Sequence, residues 1–208
     1  MTALAEIAQH YQARARCTTD MWPHMPTLAR YASYCKHITE FGVGPEHLNL
    51  NSTWAWLYGL TQSPEQEKSL LLYDLFPNKH IDDVMRLAEA VGIRCEFTLA
   101  NSLEITIEPT HLLFIDTEHT YQHCLAELER HQANVQGFII LHDTAGKYAH
   151  WEDWPYNHER RGALASHPEW YGMWPAVESF LERHVDWRLY ERDDRNAGIT
   201  ILTNLGEA

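Results

Sequence analysis

Short unbroken apolar runs recur along this chain, and each ends abruptly in polar residues. Leu112-Leu113-Phe114-Ile115 runs into Asp116-Thr117-Glu118-His119-Thr120-Tyr121, and Gly137-Phe138-Ile139-Ile140-Leu141 runs into His142-Asp143-Thr144. Such runs are the pattern of strands buried on both faces of a parallel sheet. The polar patch then falls just past the carboxyl end of each strand, where open α/β sheets bind their ligands. Two strands that each deliver an acid and a histidine at their exits suggest one site built from both. The plainer reading is two ordinary polar loop starts.

The rest of the chain alternates between this rhythm and a helical one. Residues 3–16 are rich in helix formers, with Leu4, Ile7, Tyr11 and Ala15 near one face. The stretch Met21-Trp22-Pro23-His24-Met25-Pro26 breaks the pattern, and Thr27 is placed to cap a second short helix through Tyr34. Its apolar Trp22 and Met25 read either as a lid over a ligand or as a staple onto the core. A first strand, His37–Gly42, is followed by a glycine-bearing loop, and Ser52 or Thr53 opens a helix over 53–60. Residues 69–73 form a second strand ending in Asp74, and His80–Val91 is an amphipathic helix stopped by Gly92. Residues 93–99 are the third strand, with Asn101-Ser102 at its exit. Strand 112–116 and a helix over 120–131 come next, the helix turning Cys124, Leu125 and Leu128 inward, and then strand 136–141. An aromatic segment without regular structure, 144–171, reads as a cover over a substrate, since loops of this length in compact domains are usually functional. A helix with Pro175 in its first turn and an antiparallel hairpin, 187–191 with 199–202, close the chain.

Composition narrows the class. With 208 residues, the chain fits one domain, an N-terminal helical cap over 1–35 included. A formal charge of −13 argues against nucleic-acid binding, which needs clustered Lys and Arg. No apolar run approaches the ~20 residues of a membrane span, and the N-terminus lacks a signal peptide's apolar core. Cys17, Cys35, Cys95 and Cys124 are scattered without metal-like spacing. They are expected to stay reduced, which places the protein in the cytoplasm.

Three exits carry candidate binding chemistry. Glu40 and Gly42 end the first strand, and the glycine turn leading to Ser52 and Thr53 makes a cradle for a ligand's polar groups. Asp74 ends the second strand 34 residues after Glu40, about one βαβ unit, where an acid grips ribose hydroxyls. A helix cap or an ordinary loop acid is the plainer role for Asp74.

In this order, Glu40-Phe41-Gly42, Ser52-Thr53, Asp74, Asp116-x-x-His119-x-Tyr121 and Leu141-His142-Asp143 resemble a class I S-adenosylmethionine-dependent methyltransferase. More narrowly, the chain resembles the small-molecule branch that groups macrolide-sugar O-methyltransferases with cephalosporin-hydroxylase-like proteins. The ending Met173-Trp174-Pro175-Ala176-Val177 and the hairpin 187–202 share in the likeness, which covers roughly residues 30–203. The resemblance implies an α/β, Rossmann-like fold: a mostly parallel seven-stranded sheet flanked by helices, with an antiparallel C-terminal hairpin. S-adenosylmethionine would lie across the first strand exits, on Glu40, Gly42, Ser52, Thr53, Asp74, Asn101 and Ser102. The acceptor would be a small molecule; neither nucleic acid nor membrane is implied, and a homo-oligomer stays open.

Two features depart from the pattern. The interval from Glu40 to Ser52 carries extra residues, Glu46-His47-Leu48-Asn49. In metal-dependent relatives, Mg²⁺ is bound by the aspartate after the fourth strand and an acidic pair after the fifth. Asp116 and Asp143 match, but His142 stands where a carboxylate is expected, which fits Mn²⁺ or Fe²⁺ better than Mg²⁺.

Methyl transfer to oxygen needs a base, and His119, three residues past Asp116, is the candidate. Helix capping or ring stacking is its plainer role, and a buried, hydrogen-bonded histidine is that of His142. Two other classes remain open. One is a metal-dependent oxygenase or hydrolase on Asp116, His119 and His142; the other is a subunit that binds the donor without turnover.

Overall fold

Period-two burial builds a two-sided sheet. On neighbouring strands, Ile38, Leu70, Leu72, Leu112, Phe114 and Ile140 pack into one core layer; Phe41, Leu113, Ile115, Ile139 and Leu141 pack into the other. Each such residue contributes roughly 1.5–3 kcal/mol on burial. The computed structural model describes residues 1–19, 21–44, 49–150 and 172–206. In chain order these form α1 (Ala3–Arg14), α2 (Met25–Ala32), β1 (His37–Phe41), α3 (Asn51–Gln62), β2 (Lys68–Asp74), α4 (Ile81–Ala90) and β3 (Ile93–Leu99). There follow β4 (Thr110–Ile115), α5 (Tyr121–His131), β5 (Val135–His142), α6 (Gly146–His150), α7 (Met173–Arg183), β6 (Arg188–Asp193) and β7 (Ile199–Thr203).

The seven strands form one sheet in the order β3-β2-β1-β4-β5-β7-β6. The first five are parallel, and β7 inserts antiparallel between β5 and β6. The order reverses between β1 and β4, which creates a crevice at their carboxyl ends. Register lines up what faces that crevice. Phe41 pairs with Tyr73 and with Ile115, and Ile115 pairs with Leu141. Gly42, Asp74, Asp116 and His142 therefore leave the sheet side by side.

β3 shows why this sheet is covered unevenly. Its inward positions Ile93, Cys95 and Phe97 pack into the α4 layer, while Arg94, Glu96 and Thr98 are exposed. Among the described residues no helix separates β3 from β4; residues 100–109 cross through a turn at 102–104 without regular structure, burying Ile107. The alternating sequence of β3 is that of an edge strand with one wet face.

Several expected boundaries shift for identifiable reasons. The second helix begins at Met25, because Pro26 fits the first turn, where no N–H is needed; Thr27 lies inside it and caps nothing. Met25 is fully buried and staples its part of that stretch to the core, whereas Trp22 stays 39% exposed. The third helix starts at Asn51 behind Leu50 in the left-handed region, with no side-chain cap, so neither Ser52 nor Thr53 caps it. Thr120 does cap α5, accepting from the His123 N–H. The segment 144–171 begins with a short helix, α6, rather than irregular chain; the rest of that proposed cover, 151–171, lies outside the described residues. So do residues 46–48 of the extra loop. Among the described residues no helix is long and apolar enough to cross a membrane.

Candidate active site

The β1 exit comes first, because it sets how closely the crevice walls approach. Gly42 has φ +81, and a Cβ there would sit 1.8 Å from the carbonyl oxygen of Asp116. Phe41 and Gly42 are tied on both sides: Asp116 N–H donates to the Phe41 carbonyl and Gly42 N–H to that of Tyr73, each at 3.0 Å. Only glycine lets β1 and β4 exit this close together.

Between these exits lies a cleft of about 540 Å³, within the usual size of small-molecule sites. It is lined by Gly42, Asp74, Asn101, Ser102 and Asp116, five residues that the sequence picks out. Tyr73, Leu75 and Phe76 add apolar surface, and no Lys or Arg lines it among the described residues. Asp74 Oδ2 accepts from Gly44 N–H (2.8 Å) and Oδ1 from Phe76 N–H (2.9 Å). Asp74 is thus partly the loop acid of its plainer reading, held in place at the cleft edge. Each of its oxygens keeps a further lone pair for a ligand.

Three expected binding residues do not reach the cleft. Glu40 is fully buried and accepts from Thr53 Oγ1 at 2.8 Å; Ser52 and Thr53 are buried beside it. Burial pushes the Glu40 carboxyl up to about 8, against the hydroxyls of Ser52 and Thr53. The reason is strand parity: Glu40 faces the α3 layer, opposite to Phe41. Ser102 lines the cleft, but its hydroxyl is donated to Glu127 Oε1 at 2.5 Å. Asn101 spends its side chain locally, donating to Glu104 and accepting from Leu103 N–H.

At the β4 and β5 exits, Asp116, His119, His142 and Asp143 converge. His119 Nε2 lies 2.7 Å from Asp143 Oδ2 and 3.5 Å from Asp116 Oδ1. His142 Nδ1 lies 3.3 Å from Asp116 Oδ1 and 3.2 Å from Asp143 Oδ2. Asp143 adopts φ 57, a strained conformation that turns its carboxylate back toward Asp116. Burial would lower the His142 pKa, but the charges of Asp116 and Asp143 raise it to about 10. Burial likewise works against ionisation of both aspartates; the charge of His142 and hydrogen bonds from His119 and His142 overcome it and hold them below the usual carboxylate range. His142, buried and hydrogen-bonded to Asp116 of the neighbouring exit, also meets its plainer reading, and its ring meets that of His24 edge-on at 6.0 Å. His119 and His142 are both locked between two carboxylates.

This set also fits a divalent cation. Asp116, His142 and Asp143 offer two carboxylate oxygens and one nitrogen within 4.8 Å of one another, at buried or half-buried positions. The mixed oxygen and nitrogen donors suit Mn²⁺ or Fe²⁺ better than Mg²⁺. A nitrogen ligand binds only when unprotonated, so a cation and a proton compete for His142 Nδ1.

The sequence reading missed a second cluster on the cleft wall. Glu127 of α5 is fully buried and accepts from Ser102 Oγ and from Thr117 Oγ1 (2.8 Å), and His123 Nε2 lies 3.1 Å from it. A signal was present: Glu127 falls on the stripe 120-124-127-128-131 of α5, an acid at an inward position. Deciding what it meets required the tertiary structure.

No protein-family model and no curated protein matches this chain. Solved structures do resemble it. The SAH-bound methyltransferase PaMTH1 of Podospora anserina is 15% identical, with a TM-score of 0.52 over 96% of this chain and 86% of that one. Cofactor-bound Rv0187 from MTB is 15% identical, with a TM-score of 0.55 over 97% and 88%. A methyltransferase from Geobacter sulfurreducens is 13% identical, with a TM-score of 0.51 over 97% and 88%. The chain has the Rossmann-like fold of these methyltransferases, with the mostly parallel sheet and antiparallel C-terminal hairpin expected from the sequence.

Proposed function

We propose that the chain is an S-adenosylmethionine-dependent methyltransferase that modifies a hydroxyl of a small molecule, assisted by a divalent cation on Asp116, Asp143 and His142. The observation that carries this reading is one continuous arrangement. A cleft at the strand-order reversal presents Asp74 along one edge, and Asp116 on its wall leads to the acid–histidine cluster. A cleft that the described residues line with acids and with no Lys or Arg suits a sulfonium, which is cationic.

When bound, S-adenosylmethionine supplies a methyl group activated by its sulfonium. Held by Gly42 and Asp74, it would supply that methyl to the acceptor oxygen, the carbon–sulfur electron pair leaving with sulfur. His119 takes the hydroxyl proton. Asp143 orients the imidazole through Nε2, so the proton is received at Nδ1, the logic of a carboxylate–histidine base. A cation on Asp116 and Asp143 would lower the acceptor's pKa. Gly42 and Asp74 position the donor, and positioning supplies much of the rate.

Calorimetric titration with S-adenosylhomocysteine tests the donor. Micromolar binding is expected, and Asp74→Ala should weaken it by about 2–4 kcal/mol, roughly 1.5–3 for each charged hydrogen bond with imperfect additivity. Asp74→Asn removes the charge but keeps an acceptor for only one of the Gly44 and Phe76 amides, so its comparison with Asp74→Ala weighs loop support against ribose binding. Unchanged affinity in both variants sinks the ribose assignment. No binding to the parent protein sinks the donor reading itself.

Metal removal tests the cluster separately. Exhaustive chelation should abolish turnover, and Mn²⁺ should restore it at least as well as Mg²⁺. Full activity after chelation would leave Asp116 and Asp143 as hydrogen-bonding groups only. One second reading has specific support: His119 Nε2 and His142 Nδ1 both lie within 3.5 Å of Asp116 Oδ1, as in a two-histidine, one-carboxylate iron site. Bound iron with donor-independent activity would favour that oxygenase or hydrolase.

A further inference from the structure

His24 has no part in the chemistry above, yet it is fully buried against the acid–histidine cluster. It stands at the start of α2, and its side chain does not cap that helix. Sheet register explains what it meets instead. His142 pairs with Ile199 across β5 and β7, and Ile199 pairs with Asp193 across β7 and β6. Residues paired in this way share a face of the sheet, so His142, Ile199 and Asp193 form one row. Ile199 packs into the core layer that holds Met25 and Leu28 of α2, which puts the row on the α2 side. His24 reaches both ends of it. Its ring meets that of His142 edge-on, centroids 6.0 Å apart, and its Nδ1 lies 3.6 Å from Asp193 Oδ2.

The ring is held from outside. Its Nε2 lies 3.0 Å from the Arg195 carbonyl, which can only accept, so Nε2 carries a proton. Arg195 in turn grips the Asp193 carboxylate and donates to the Pro23 carbonyl at 3.4 Å. The β6–β7 turn and the chain before α2 are thereby tied around His24. A second proton on this ring would set its charge beside a cation on the cluster, which leaves Nδ1 an acceptor. His142 has the complementary need. Its Nδ1 faces both aspartates, at 3.3 and 3.2 Å. A ring that ligates through Nδ1 carries its proton on Nε2. Among the described residues, neither His142 Nε2 nor His24 Nδ1 has a hydrogen-bond partner, and both are buried. An unpaired buried N–H is costly, and ligating histidines normally donate this second N–H to a fixed outer group.

We infer that His24 is the outer partner of the metal-binding histidine: its Nδ1 accepts from His142 Nε2–H, directly or through one water, and so fixes the ring that aims Nδ1 at the cation. His24 acts only through His142, as a positioning residue. Arg195 and Asp193 hold it in place, so the N-terminal cap and the C-terminal hairpin both support the cation site. A consequence follows for the choice of metal. The nitrogen ligand depends on His24 and the carboxylates do not. Mn²⁺, which uses nitrogen well, therefore gains more from His24 than Mg²⁺, which prefers oxygen. This inference rests on the cation reading above, and its test separates the two.

Mn²⁺ and Mg²⁺, each titrated calorimetrically into the full metal-free chain, give the answer. The parent should bind Mn²⁺ the more tightly. His24→Phe keeps a flat ring beside His142 but offers no acceptor. It should weaken Mn²⁺ about 10–100-fold, the usual worth of an outer-shell partner, and Mg²⁺ by less than about threefold. His24→Gln restores an N–H for the Arg195 carbonyl and an oxygen for His142, and should recover most of the lost Mn²⁺ affinity. Melting curves like the parent's report that both variants fold. A further measurement needs no variant: nitrogen NMR of the parent loaded with diamagnetic Zn²⁺ should find protons on Nε2 of both His24 and His142. Equal losses of Mn²⁺ and Mg²⁺ in the phenylalanine variant would make His24 merely structural and overturn the inference. So would unchanged Mn²⁺ affinity in that variant, or a proton on His24 Nδ1 in the Zn²⁺-loaded parent, with the cation reading left intact. If the parent binds no divalent ion, the cation reading fails and this inference falls with it.

Discussion

His119→Ala is expected to lower kcat by about 10²–10⁴-fold, the usual worth of a positioned general base. His119 reaches the site through two separate features. The spacing from Asp116 puts it at the start of the turn before α5, and Asp143 from the neighbouring strand holds its Nε2 at 2.7 Å. The affinity for S-adenosylhomocysteine should change little, because His119 does not line the described cleft. The sign of the pH effect follows from the role. A base works only when unprotonated, so kcat of the parent falls as pH falls through the imidazole's titration, and the variant should lose that acidic limb. Equilibrium Mn²⁺ binding to the variant distinguishes base from ligand: a base can be removed with the metal affinity unchanged. A variant with near-normal kcat and the same acidic limb would take His119 out of the mechanism.

Gly42→Ala should be the most damaging small substitution in the cleft. A methyl group there must share space with the Asp116 backbone, 1.8 Å from its oxygen and 2.5 Å from its carbon. The positive φ costs about 1–2 kcal/mol for alanine. The overlap adds about 1–3 kcal/mol as the strands shift. Neither strand can move freely, since the Phe41 carbonyl and the Gly42 N–H are both hydrogen-bonded to neighbours. A loss of roughly 2–5 kcal/mol would lower Tm by roughly 5–20 °C in a chain of this size. Donor binding should fall with it, because Gly42 and Asp116 form facing walls of one cleft. Gly92→Ala is the control: φ is +73, but nothing lies within 4 Å of the added carbon, so only the conformational cost of about 1–2 kcal/mol should appear. Equal effects at the two glycines would show that the close approach at Gly42 is unimportant.

Much of this architecture was legible because burial imposes period. The runs at 70–72, 112–115 and 138–141 are strands covered on both faces, and short apolar runs bounded by polar residues are what such strands require. The exits were legible for the same reason: a strand must end where polar residues begin, so Asp74, Asp116 and His142-Asp143 were placed correctly at the cleft or the cluster. Helix starts were read less well. Thr27 and Ser52 have the right chemistry to cap, but a proline and a left-handed leucine set the actual starts.

What the sequence could determine by itself was local: which segments are strands, which residues stand at their ends, and which residue types those are. The tertiary structure decided which of these meet. Glu40 and Phe41 are adjacent in the chain, yet alternation sends Glu40 into the α3 layer with Thr53, while Phe41 lines the cleft. His119 and Asp143 are 24 residues apart and touch only because β4 and β5 pair in a register that levels Ile115 with Leu141. Glu127 reads in sequence as one more acid on a charged helix. It becomes an organising group because the helix-free crossing from β3 to β4 brings Ser102 against α5, a contact set by strand order rather than by any spacing along the chain.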